Sequence, residues 1–64
     1  MQRKAIEKWL NRIDQDVAVM EMYLDQKRRL EDWHGVMDAA ADIRELQIMQ
    51  RTLRQVLEVV DATV

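Results

Sequence analysis

Apolar residues recur in the first half of the chain at alternating steps of four and three positions. The members of this series are Ile6, Leu10, Ile13, Val17, Met20 and Leu24. An apolar residue at an average spacing of 3.5 positions is typical of a helix that packs along one seam, as in a coiled coil. The first half of the chain is therefore predicted to form one long helix.

The second half carries a second apolar seam of the same kind. Its members are Val36, Ala39, Ile43, Leu46, Gln50, Leu53, Leu57, Val60 and Val64. Gln50 is the polar member of this seam and is predicted to lie opposite Ile13. Two interpretations are open: the amide is buried and fixes the register of the helices, or it reaches the edge of the seam and solvent.

The two seams do not share a helical phase. Continuing the first seam leads to Glu31, His34 and Asp38, which are all polar, whereas the second seam begins at Val36. One continuous helix would therefore turn its apolar stripe away from itself in the middle of the chain. A break near residues 31–32 is the simpler prediction.

The charges around this break agree with it. Cations occupy positions 27–29, where they would meet the negative end of the first helix, and Glu31 and Asp32 would stand at the positive start of the second helix. Asp32 is also a good N-cap residue, because its carboxylate can accept a bond from an unpaired backbone N–H. We predict helices at about 3–30 and 33–62, with a turn at about 31–32.

An alternative break uses Gly35 as a left-handed cap at the end of a longer first helix, with the second helix starting near Asp38. In the favoured version Gly35 lies instead in the first turn of the second helix. There, the absence of a side chain would let the two backbones approach closely.

Folding the chain at this turn gives an all-α, antiparallel two-helix hairpin as a single domain over residues 1–64. The composition suits it, since the chain has one glycine and no proline and is 48% hydrophobic and 34% charged. The predicted seam pairs are Leu24 with Ala39, Met20 with Ile43, Val17 with Leu46, Leu10 with Leu53 and Ile6 with Leu57.

A hairpin of this size leaves apolar residues without cover. A chain of 64 residues buries only about 60% of its unfolded surface, and without cysteine it has no disulfide to add stability. Five apolar residues repeat at seven-residue spacing beside the seams: Trp9, Tyr23, Leu30, Met49 and Val56. Val19, Met22, Ile48 and Val59 lie further round the helices. We therefore predict a homodimeric four-helix bundle, or a higher symmetric helical oligomer, with the first five residues at the interface.

Charge order predicts how two hairpins pair. Residues 1–12 hold four cations and one acid, whereas residues 14–25 hold only acids, and the matching part of the second helix is also mainly acidic. Two hairpins in parallel would stack like charges, whereas an antiparallel two-fold arrangement brings opposite charges together. An antiparallel dimer is expected.

Candidate chemistry is sparse. His34, Asp38 and Asp42 repeat every four residues and could present metal ligands on one helix face, and Glu31-x-x-His34 resembles half of the di-iron motif of ferritin-like bundles. Acids at this spacing usually form a solvated face, so we expect no metal site and no cofactor. The chain has no serine or cysteine and no glycine-rich loop, and we predict that it is not an enzyme.

Two functional classes lead, and a metal-binding helical bundle that uses His34, Asp38 and Asp42 is a distant third alternative. The first is a non-enzymatic, self-associating hairpin that binds another protein, in the manner of a small phage, prophage or plasmid accessory protein. The second is a dimeric RNA- or DNA-binding regulator that uses Arg44, Arg51 and Arg54. In length and shape the chain resembles the plasmid-encoded RNA-binding hairpin dimers that regulate primer RNA, which implies recognition of paired RNA by a helical face.

The pattern on this arginine face also has a simpler interpretation, a solvated surface with ion pairs such as Arg54 with Glu58. The formal net charge of −2 argues against general coating of nucleic acid. No apolar run approaches the roughly 20 residues that cross a bilayer, and the first residues do not show the pattern of a signal peptide. We expect a cytoplasmic protein that does not bind membranes.

Overall fold

The computed structural model describes residues 3–62, which form two α-helices packed against each other. Helix α1 spans Arg3–Arg29 and helix α2 spans Trp33–Ala62, and there is no strand in this part of the chain. The predicted all-α, two-helix hairpin is thereby confirmed. Its principal dimensions are 50 × 15 × 11 Å, so the two helices present two broad faces, one on each side of the plane that contains both helix axes.

The seam between the helices forms the core. Its buried residues are Ile6, Ile13, Val17, Ala39 and Leu53, and half-buried Leu10, Leu46, Val56, Leu57 and Val60 pack against the cluster. The buried members of α1 all belong to the predicted first seam, and those of α2 belong to the second. The five side chains buried within residues 3–62 make a small core.

The turn is closed by backbone bonds of a Schellman motif. The Glu31 N–H donates to the Arg28 carbonyl and the Asp32 N–H to the Lys27 carbonyl, both at 3.0 Å. The residue that reverses the chain is Glu31, which adopts the left-handed conformation with φ of 57°. The expectation that Glu31 stands at the start of the second helix is therefore wrong, because this residue terminates α1.

Asp32 starts the second helix as its N-cap. Its side-chain Oδ1 accepts a bond from the Gly35 N–H at 3.0 Å, and its carbonyl accepts the Val36 N–H at 3.0 Å. The Gly35 hydrogen bond is the main reason that the pKa of the Asp32 carboxyl lies below its ordinary 3.8, and the Lys27 ammonium acts in the same direction.

The role expected for Gly35 needs correction. No glycine of residues 3–62 has a positive φ, so Gly35 is not a left-handed cap and the alternative break is excluded. Close approach of two backbones is not its role either. A Cβ at this position would lie 2.9 Å from Oδ2 of Asp32 and 3.0 Å from Cδ of Lys27, so the missing side chain leaves room for the capping carboxylate and for the lysine.

Candidate interaction surface

One broad face of the hairpin is closed by polar contacts between the helices. Near the termini, Arg3 pairs with Asp61. In the middle, Gln50 donates from Nε2 to Oδ1 of Asp14 at 2.6 Å, and Arg54 approaches the same oxygen at 3.5 Å. We call the surface of these five residues the polar face.

These contacts settle two questions left by the sequence. Gln50 is half-buried and reaches the edge of the seam, where it bonds to Asp14, so its amide is not sealed in the core. The expected ion pair of Arg54 with Glu58 is not formed, because Arg54 pairs across the hairpin with Asp14. The bond between Asp14 and Gln50 also places Gln50 within one residue of its predicted alignment with Ile13.

The opposite broad face is apolar and grooved. A groove of about 160 Å³ near the termini is lined by Trp9, Ile48, Met49, Thr52 and Leu53. A second groove, of about 350 Å³, follows it towards the turn and is lined by Asp16, Val19, Met20, Asp42, Glu45, Leu46 and Met49. Met49 lines both grooves, so together they form one continuous surface, which we call the apolar face.

The residues predicted at an interface are accessible to different degrees. Trp9 is 49% exposed, Tyr23 43% and Met49 39%, and Val56 is half-buried. Trp9 and Met49 line the grooves of the apolar face. Leu30 is different, since it lies in the turn beyond the end of α1, where it is 66% exposed.

The outer apolar residues divide into two groups. Val19 and Ile48 line the grooves and extend the apolar face, although both are exposed. Met22 and Val59 line neither groove and are also exposed. The apolar face therefore involves more residues than the seven-residue spacing alone selects.

Three carboxylates border the larger groove, and the sequence contained a signal for two of them. The seven-residue stripe that runs from Trp9 to Tyr23 passes through Asp16, and the stripe of Met49 and Val56 continues backwards to Asp42. The third carboxylate is that of Glu45. The sequence had suggested Asp42 as a metal ligand, whereas the structure places it on the rim of an apolar groove.

Ion pairing leaves this acidic rim poorly neutralised. Asp16 has one contact, with exposed Arg12 at 3.6 Å. Asp42 and Glu45 form no ion pair with any of residues 3–62. The rim therefore presents negative charge beside apolar side chains.

Lys27 connects Tyr23 to the turn. Its Nζ lies 5.2 Å from the centroid of the Tyr23 ring and 3.5 Å from Oδ2 of Asp32. Tyr23, when ionised, and then Asp32 raise the pKa of this ammonium above its ordinary 10.5. Lys27 thus positions the tyrosine ring and the N-cap of α2 together.

The other candidate residues remain dispersed. His34 approaches Asp38 at 3.6 Å, with both side chains largely exposed, and within residues 3–62 no group of three or more histidine, cysteine or acidic side chains is arranged to hold a metal ion. Arg44 and Arg51 are exposed, while Arg54 is engaged with Asp14 on the polar face. Over the described range, neither helix combines the length and apolar character needed to cross a membrane.

The chain is thus a helical hairpin with one broad face satisfied by its own polar bonds and the other left apolar. Comparison with protein-family models, curated proteins and solved structures finds no match to it.

Proposed function

We propose that this protein is a non-enzymatic helical hairpin that associates with itself through the apolar face and acts as a protein-interaction module. The observation that carries the proposal is the position of Trp9. This large side chain is half exposed beside a groove of apolar residues, and tryptophan in such a position is typical of an energetically dominant contact.

The contrast between the two faces supports the same proposal. On the polar face, Asp14 bonds to both Gln50 and Arg54, so its polar groups already have partners. On the apolar face, Val19 and Ile48 are exposed. Contact of these apolar side chains with water costs free energy. Covering that face with another helical surface would add to the five side chains that are buried within residues 3–62.

The test compares the two tryptophans by sedimentation over a range of protein concentrations. We expect the wild-type protein to sediment as an oligomer, and Trp9→Ala to raise the dissociation constant at least about thirtyfold, which corresponds to the loss of a hot-spot contact. Trp33→Ala is the matched control, because Trp33 is 60% exposed but stands at the start of α2 and lines neither groove.

Circular dichroism of both variants reports whether the helices are retained. If wild-type protein sediments as a monomer throughout the micromolar range, the proposed self-association is refuted. If Trp33→Ala weakens association as much as Trp9→Ala, the effect is not specific to the apolar face, and the role assigned to Trp9 is refuted.

A dimeric nucleic-acid-binding regulator is the second candidate. The observation that favours it is the pair Arg44 and Arg51, which lie two helical turns apart, are exposed and form no ion pair within residues 3–62. This candidate predicts RNA or DNA binding that weakens steeply with salt and is reduced in Arg51→Ala. Unchanged binding in Arg51→Ala, or no binding at low salt, contradicts it.

A further inference from the structure

The apolar face changes in charge along the hairpin. Beside the smaller groove, at the end with the termini, Lys8 and Arg12 flank Trp9 in the sequence of α1. The larger groove, towards the turn, has instead an acidic rim that includes Asp42 and Glu45. One half of the face therefore carries the half-exposed indole of Trp9 in a basic stretch of α1, and the other half combines an apolar groove with anions.

These two halves are complementary to each other, and within residues 3–62 they meet at a contact of Arg12 with Asp16 at 3.6 Å, which leaves Asp42 and Glu45 on the rim without a cation. Lys8 and Glu45 lie at different heights along a hairpin whose long dimension is 50 Å. Along the axis of α1, Trp9 and Met20 are separated by about 16 Å, since each residue of an α-helix adds about 1.5 Å. A second copy can bring the two halves together, provided that it runs in the opposite direction.

We infer that the apolar face is occupied by a second copy of this chain in antiparallel orientation, with the indole of Trp9 inserted into the partner's groove beside Met20 and Leu46. This inference rests on the proposed self-association and specifies its geometry. Lys8 and Arg12 then lie at the level of the partner's acidic rim.

The two-fold axis of this dimer crosses the face near Met49. If Trp9 meets the partner's Met20, the midpoint lies near residue 14 of α1, and Asp14 is bonded across the hairpin to Gln50. Met49, the neighbour of Gln50, lines both grooves. Met49 is therefore the α2 residue of the apolar face at the height of the axis, where it contacts the partner's Met49.

Area and charge both fit this occupant. The broad face measures 50 × 15 Å, and a face of this size is comparable with the roughly 800 Å² that each partner contributes to a standard interface. In a parallel dimer the acids at Asp16, Asp42 and Glu45 would instead stand at the same height as the partner's acids, and like charges across an interface oppose association.

Cysteine cross-linking tests the geometry, because the natural chain contains no cysteine. Met49→Cys places a thiol near the axis, and we expect oxidation to convert most of the dimer into a disulfide-linked form. Thr52→Cys is the matched control on the same groove. Displaced by one turn from the axis, its two thiols lie about 9 Å apart along the helices, and we expect at least tenfold slower cross-linking.

Charge reversal tests the contact between cations and rim independently. We expect Arg12→Glu to raise the dissociation constant of the dimer about tenfold, and Asp16→Arg, on the α1 helix of the partner that Arg12 faces, to do the same. The double variant should return it to within about twofold of wild type, since the reversed charges again face each other across the interface.

The outcomes separate the two proposals. Rapid cross-linking of the Met49→Cys variant together with rescue in the charge-reversed double variant supports the antiparallel dimer. A dimer that cross-links as fast through position 52, or that shows no rescue, overturns this geometry while self-association stands. A monomer at all concentrations overturns both the geometry and the self-association.

Discussion

Replacing Glu31 with glycine should stabilise the hairpin. Glu31 adopts φ of 57°, a left-handed conformation that costs a residue with a Cβ about 1–2 kcal/mol. Glycine adopts this conformation without that penalty, but it adds conformational freedom to the unfolded chain, which offsets about 0.5–1 kcal/mol. The net expectation for Glu31→Gly is a gain of about 0.5–1 kcal/mol in the free energy of unfolding.

Thermal unfolding followed by circular dichroism measures this gain. For a domain of this size, 1 kcal/mol shifts the melting temperature by about 4–8 °C. All variants are compared at one protein concentration, because association would otherwise change the apparent stability. Urea unfolding at 25 °C provides an independent value, provided that the slope of the transition is unchanged.

Two control substitutions isolate the backbone effect. Glu31→Ala removes the same charge but retains the strained Cβ, so it should not reproduce the gain. Gln15→Gly introduces glycine at an exposed position in the middle of α1, where it should destabilise by about 0.5–1 kcal/mol. If Glu31→Ala stabilises as much as Glu31→Gly, the effect comes from charge. If Glu31→Gly destabilises, the left-handed turn at residue 31 is refuted.

Three further predictions concern the cap and the assembly. Because the pKa of Asp32 is lowered in the folded state, the stabilising effect of its carboxylate is complete above the unfolded pKa and is lost as the pH falls below about 4. Asp32→Asn should keep the cap, but its free energy of unfolding should no longer show this dependence on acid pH. An acid profile equal to that of the wild type contradicts the assignment. Gly35→Ala should destabilise the wild type by displacing the capping carboxylate. In an Asp32→Ala background the same substitution should stabilise the protein through helix propensity. Calorimetry of the wild type, the two single variants and the double variant checks this change of sign, and additive effects refute the steric role of Gly35. The melting temperature of wild type should rise with protein concentration, whereas that of Trp9→Ala should not, as parallel scans at two concentrations would show.

The helices and the position of the turn could be predicted because their signals are local. The phase change between the seams, the cations at 27–29 and the capping aspartate all act within one or two turns of helix. The left-handed residue was missed since glycine usually marks it, and here the glycine lies four positions later. The useful signal was Asp32 itself: if it caps α2 directly after α1, only Glu31 remains to reverse the chain.

The contacts between the helices could not be predicted to the same precision. Arg54 has Glu58 one turn away on its own helix, but it pairs with Asp14 on the other helix. A shift of one residue in register would bring different side chains to this position. The register depends on how the whole seam packs, and the hydrophobic pattern specifies it only to within about one residue in a helix pair.

The two broad faces differ because one is covered by polar bonds within the chain and the other is apolar. Assembly is therefore the central question for this chain. Asp14 accepts bonds from both Gln50 and Arg54, so the polar face joins the helices without a second molecule. The apolar face lacks such bonds, and its Trp9 gains most if another surface covers it. A mutation that makes this face polar would improve the solubility of the isolated hairpin, but it would also remove the burial that the proposed association would add to a small core. Folding and assembly are therefore expected to depend on the same residues.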